Sequence, residues 1–510
     1  MKREKSNILS RRPESIIFML LIGLVSVLLN FTFSHNSFAE YKATLSASVN
    51  EDTAAINGTE IIESSDETAE HEINLKINTT NKTGYTATFS SKTDETALLN
   101  TNPAINTKIN SISSNSALAN FPANTWGYRF DDDAVFSPIP AKSASVNLIK
   151  TTEKSTSEEN HSIKLGMKLN SSLKPGNYEN RLIVSVVSNP YTPKAVMTEG
   201  SDFNTKLKAL GTTTSRIEHF KKSAVAPTVS MNAVNIEDED SDYEIKLWLD
   251  PTDKTAYYYA EPEKVYLNAD SSEMFYSWFG EQKIENILEL DLSNFDTSKV
   301  TDMSFMFRNK PRLTTLNVSN FNTSKVTNMR YMFSSIPNLT TLNLSNFDTS
   351  KVTNMGFMFS VMSKLTTLDL SNFDTSKVTD MSYMFYYMSN LTTLDLSNFD
   401  TSKVTDMHYM FYDMSNLTTL NLSNFNTSQV TDMTGMFALS DKYIPNDKLE
   451  KIYVNNDFDI TNLTSPWEMF KNRKKLRGGN GSFLAYPSSA NKTWLRVDRP
   501  GVQGYFTRKP

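Results

Sequence analysis

LTTLDLSNFDTSKVTDMHYMFYDMSN, residues 391–416, is one of six nearly identical 26-residue copies that run from Ile287 to Phe437. Phenylalanine recurs at Phe295, Phe321, Phe347, Phe373, Phe399 and Phe425, and methionine follows eight residues later at Met303, Met329, Met355, Met381, Met407 and Met433. A unit this short cannot bury its own apolar face, so neighbouring copies must stack. Its first half, with Leu391, Leu394 and Leu396, has the leucine-rich-repeat strand spacing L-x-x-L-x-L. In its second half Val404, Met407, Met410, Phe411 and Met414 fall at offsets 0, 3, 6, 7 and 10, the spacing of one helical face. The pattern predicts a solenoid with a strand and a short helix in every coil, Thr405 capping the helix and Asp406 in its first turn. A coiled coil needs apolar residues every 3.5 positions throughout, which LTTLDLS excludes. A parallel β-helix is the closer rival.

Stacking identical units aligns identical side chains. Asn294, Asn320, Asn346, Asn372, Asn398 and Asn424 form a column whose amides suit a hydrogen-bonded ladder along the backbone better than a ligand site. Acidic columns, Asp296, Asp348, Asp374, Asp400 and Asp302, Asp380, Asp406, Asp432, raise the question of calcium. Asparagine stands in their place at Asn322, Asn426, Asn328 and Asn354, and no glycine-rich nonapeptide accompanies them, which argues against a metal. The neighbouring column of Lys299, Lys325, Lys351, Lys377 and Lys403 reads as a solvated charged edge.

Residues 1–39 read as a secretory signal. A basic start (Lys2, Arg3, Lys5, Arg11, Arg12) precedes an apolar run from Ile16 to Phe33, and the small residues Ser37 and Ala39 predict cleavage between Ala39 and Glu40. The alternative is an uncleaved membrane anchor. Either places the bulk of the chain outside the cytoplasm, extracellular or on the cell surface. This segment carries five basic and two acidic residues, so against −6 overall the remaining chain has a formal net charge of −9, which argues against nucleic acid and anionic membranes as partners. Cysteine is absent, so stability rests on burial rather than disulfides.

Residues 40–189 alternate with period two, as in HEINLKI, GYTATFS and HSIKLGMKL, with Asn57-Gly58 and Pro175-Gly176 at bends, and are expected to form an antiparallel β-sandwich with Trp126 in its core. Residues 190–286 read as a linker and amino-terminal cap, with a helix through Phe203, Leu207 and Leu210 closed by Gly211, and a hairpin turning at Pro251. The repeats are assigned to 287–438 and a carboxy-terminal cap to 439–510.

The repeat LSNFDTSKVTDMSYMF, the lead-in from DSDYEIKLWLD to SSEMF and the closing LRVDRPGVQGYFT resemble the BspA-like leucine-rich-repeat surface proteins, known also for the bacterial surface protein 26-residue repeat. The similarity covers roughly Phe203 to Phe506, and the 40–189 region resembles the sandwich domains that precede such repeats. The resemblance implies a bacterial cell-surface or secreted protein used in adhesion to host matrix proteins or to other microbes. It places no ligand site on particular residues, and no wall anchor accompanies it.

Catalysis finds no support in the motifs. After the signal His71, His161, His219 and His408 are scattered without a metal-binding spacing, and there is no cysteine nucleophile, G-x-S-x-G or phosphate loop. No cofactor is implied. The threonine columns on the expected strand face (Thr314 to Thr418 and Thr315 to Thr419) form a hydroxyl lattice suited to a repetitive partner such as a glycan or fibrous matrix. Variation concentrates in the second half of the unit, where Tyr331, Tyr383, Tyr386, Tyr387, Tyr409 and Tyr412 are the expected partner-binding residues, against a reading as packing between coils. Function is thus expected to be adhesion to an extracellular protein, a glycan or neighbouring cells. The alternative is a spacer or envelope-layer protein that binds itself or wall polymer.

Overall fold

The structure, a computed structural model, describes residues 18–24, 43–50, 53–54, 67–212 and 215–510. The chain divides into two compact units, Lys42–Thr192 and Pro193–Pro510. Of the expected signal segment only Phe18–Leu24 is described, as a strand running parallel to Tyr178–Val184. The cleavage point between Ala39 and Glu40 lies outside the described residues.

The first unit is an eleven-stranded arrangement. Its long strands Glu67–Thr79, Glu159–Leu169 and Tyr178–Ser188 alternate as their sequences dictate, inward residues being apolar. Ile73, Leu75 and Ile77 meet Ile163, Leu165, Tyr178, Leu182 and Val184 in one core. Trp126 sits fully buried within it, its indole N–H donating to the carbonyl of Thr96 at 3.0 Å. The pairing is mixed rather than purely antiparallel, because Lys108–Ser111 runs parallel to Thr125–Phe130.

In the second unit the helix Gly200–Leu210 buries Phe203 and Leu207. Lys246–Asp250 and Thr255–Tyr259 form the hairpin that turns through Pro251. That hairpin joins His219–Lys222 and Glu289–Leu290 in a five-stranded sheet, so the lead-in is hydrogen-bonded to the first repeat. At the far end Thr419–Asn421, Lys451–Val454 and Phe506–Arg508 form a parallel sheet. A single core runs from Ala195 to Phe506.

The expected leucine-rich-repeat solenoid, with a strand and a short helix in each coil, is not what the repeats form. Among the described residues the one α-helix is Gly200–Leu210, ahead of the repeats, and the regular strands inside them are Glu289–Leu290, Phe295–Asp296 and Thr419–Asn421. The reason is visible in the 391–416 copy. Met407, Tyr409, Phe411 and Asp413 donate their N–H groups to Asp432, Thr434, Met436 and Ala438 of the next copy, not to the carbonyls four residues back that a helix requires. Tyr409 and Asp413 adopt left-handed backbone, φ 53° and 59°, and interrupt any helical run. The stretch is instead a series of tight turns, closed by Met410 N to Met407 O and Tyr412 N to Tyr409 O, each 3.2 Å. Thr405 caps nothing, since its hydroxyl donates to Thr379 O of the preceding copy.

Successive copies nonetheless lie in register. Parallel bridges link Asp270, Asp302, Asn328, Asn354, Asp380, Asp406, Asp432 and Ser465 in one continuous series. Inside, Phe307, Phe333, Phe359, Phe385, Phe411 and Phe437 stack with centroids 5.8–6.1 Å apart. Each copy adds a buried valine, methionines and leucines to that stack, and burying each such side chain is worth about 1.5–3 kcal/mol.

Candidate functional site

The LTTLDL segments line a trough of about 960 Å³ that crosses five copies. Leu316, Leu342, Leu368 and Leu394 form its floor, 7–9% exposed, while the flanking leucines are sealed in the core. Thr341, Thr367, Thr393 and Thr419 make one wall, and Asn317, Asn343, Asp369, Asp395 and Asn421 the other. Alternation explains the division, since an extended chain sends successive side chains to opposite faces. These segments are extended but scarcely stitched together, for among the described residues the backbone bond between two of them is Thr392 N to Thr366 O at 3.4 Å. The only charged lining residues are Asp369 and Asp395, so the trough is polar-walled, apolar-floored and weakly acidic. Asp369 and Asp395 each keep one oxygen on a backbone N–H, of Ser371 and Ser397. That bond, with the Ser371 hydroxyl, holds the Asp369 carboxyl below its usual range.

The tyrosines expected to bind a partner fall in two groups. Phe305, Tyr331, Phe357, Tyr383 and Tyr409 stack as a half-buried ladder with centroids 4.1–5.0 Å apart, every member in left-handed backbone. The rings are nearly parallel from copy to copy, 13–28° apart. The ladder ends on Gly435, where an added Cβ would lie 2.3 Å from the Tyr409 ring. Tyr386, Tyr387 and Tyr412 pack together beside it, with Tyr443 against Tyr387. Burial, then the charge of Asp413, pushes the Tyr412 phenol up to about 12. The buried Asp413 is itself raised by desolvation, against hydrogen bonds from the Ser440 N–H and hydroxyl at 2.6 and 2.7 Å.

The repeated polar columns are structural clips. Asn372 donates from one amide to Leu344 O and Phe347 O of the preceding copy, 3.0 and 2.7 Å, and Asn320, Asn346 and Asn398 do the same. Asp374 and Asn322 each accept from the N–H two residues on, as do Asp380 and Asn354. This explains why aspartate and asparagine interchange, because either oxygen closes the turn. The buried Thr375 hydroxyl accepts from Asp400 N at 2.8 Å and donates to Asp400 O at 2.9 Å. Among the described residues no cluster of His, Asp or Glu could hold a metal ion, and no helix is long and apolar enough to cross a membrane.

Two features escaped the sequence reading. The leucine floor looked like core, and Arg308 and Arg330 passed unremarked although they interrupt columns otherwise filled by Ser, Tyr or Ala and by Ser, Gly, His or Thr. Residues 270–368 and 358–483 match a family described as Mycoplasma protein of unknown function, DUF285. No curated protein matches the chain.

Proposed function

We propose that the chain is a non-enzymatic adhesion protein of the cell exterior whose second unit holds an extended, repetitive partner, a matrix fibre or a glycan chain, along the trough. The observation that carries this reading is the trough itself, whose floor and walls repeat leucine, threonine and asparagine or aspartate copy after copy. A surface that repeats matches a partner that repeats, and offers little to one globular ligand. The resemblance of the repeat to BspA-like surface proteins and the signal-like start at residues 1–39 support a place outside the cytoplasm. The aromatic ladder serves as packing between copies. Binding of the purified chain to immobilised fibrous matrix proteins and linear glycans tests the proposal. Thr367→Arg with Thr393→Arg should lower affinity about tenfold or more while leaving the unfolding midpoint unchanged. Undiminished binding by this variant overturns the assignment.

A further inference from the structure

The geometry points to an oxyanion-binding site formed by Arg308 and Arg330 around Tyr331, which takes a single carboxylate, sulfate ester or phosphate ester group of a partner molecule. The two guanidinium carbons lie 4.3 and 4.9 Å from the Tyr331 ring centroid. Arg308 also rests 5.4 Å from Phe305, and Arg330 5.6 Å from Phe357, so each cation leans on two rungs of the ladder. Stacking on aromatic surface fixes a guanidinium without consuming its in-plane donors. Much of the ordering cost that a bound anion would otherwise impose has therefore already been met.

Among the described residues neither arginine has a counterion within ion-pair distance; Arg216, Arg477 and Arg496 lack one too, but donate to neutral oxygens instead. Arg129, Arg312, Arg473 and Arg499 each face a carboxylate. The Nε–H of Arg330 is buried without any hydrogen-bond partner among the described residues. Two like charges brought onto one ring and left unpaired are unfavourable until an anion joins them, and a forked guanidinium matches the paired oxygens of a carboxylate, sulfate or phosphate. Arg308 and Arg330 are also the only arginines in their two columns and lie at one end of the ladder, whereas the evenly repeated Lys325 and Lys351 stand exposed elsewhere on the repeats. The site is separate from the trough, being built from the second half of the repeat. Its failure would leave the trough assignment intact.

Retention of the purified chain on dextran sulfate, carboxymethyl dextran and plain dextran tests the inference, the first two arms separating sulfate from carboxylate. Retention is expected on one or both charged matrices and not on plain dextran. Arg308→Gln with Arg330→Gln should weaken it about tenfold. Arg308→Lys with Arg330→Lys keeps the charge and should recover only part of it, because lysine lacks the fork. Lys325→Gln with Lys351→Gln removes the same charge and should change little. Absence of retention, equal loss in the two glutamine pairs, or full retention by the lysine pair overturns the site. Thermal unfolding of each variant separates lost binding from lost fold.

Discussion

Replacing Thr375 by valine should loosen the contact between two adjacent repeats by about 3 kcal/mol. Thr375 is 1% exposed, and its hydroxyl serves both the N–H and the C=O of Asp400 in the next copy, at 2.8 and 2.9 Å. Valine fills nearly the same volume and offers neither bond. Each backbone group left unpaired in a buried setting costs about 1–3 kcal/mol, so the pair gives a range of about 2–6 kcal/mol, of which about 3 is the lower middle. Serine keeps both bonds and loses one methyl group, about 0.8 kcal/mol. Native-state hydrogen exchange resolves this at the site itself. The Asp400 amide should exchange about 150-fold faster in Thr375→Val, the equivalent of about 3 kcal/mol, and only severalfold faster in Thr375→Ser. If valine and serine variants agree within about 0.5 kcal/mol and Asp400 keeps its protection, the hydroxyl clip does not hold the copies together.

Gly435→Ala should destabilise the second unit by about 1–3 kcal/mol in urea titration, since its φ is +59° and a Cβ would meet the Tyr409 ring at 2.3 Å. Asp447→Ala should cost about 3–5 kcal/mol by the same assay, because Arg473, 1% exposed, loses the carboxylate 2.8 Å away and stays buried with its charge. For His408, burial lowers the imidazole pKa, but the hydrogen bond to Asp406 and the charges of Asp406, Asp432 and Asp380 outweigh it and leave the group above its usual 6.5. A raised folded-state pKa stabilises fully below the unfolded value and loses that contribution as pH rises through the folded one. The wild-type melting temperature should therefore fall across that window relative to His408→Gln, and parallel profiles would refute the assignment.

The period was legible because each copy repeats its phenylalanine and methionine without slip, and the asparagine column could be read as a ladder because identical amides must stack. The helix was not legible. Offsets of 0, 3, 6, 7 and 10 arise equally from consecutive tight turns, which also return a residue to the core every three or four positions. What separates the two is the left-handed backbone at Tyr409 and Asp413, residue types that give no warning of positive φ as glycine would. In the same way L-x-x-L-x-L fixes which side chains point inward at Leu391, Leu394 and Leu396. It does not fix whether the backbone between copies is close enough to bond. The trough floor was hidden for that reason, since Leu394 differs from Leu391 only in reaching the surface.

The chain has no cysteine, so a single introduced thiol can carry a bulky maleimide placed after folding. Thr393→Cys, labelled in the trough wall, and Tyr386→Cys, labelled beside the aromatic ladder, should be compared for binding to the same matrix fibres and glycan chains. The label at position 393 is expected to abolish binding and the label at 386 to leave it intact. Binding that survives the first label and is lost with the second would contradict the trough assignment.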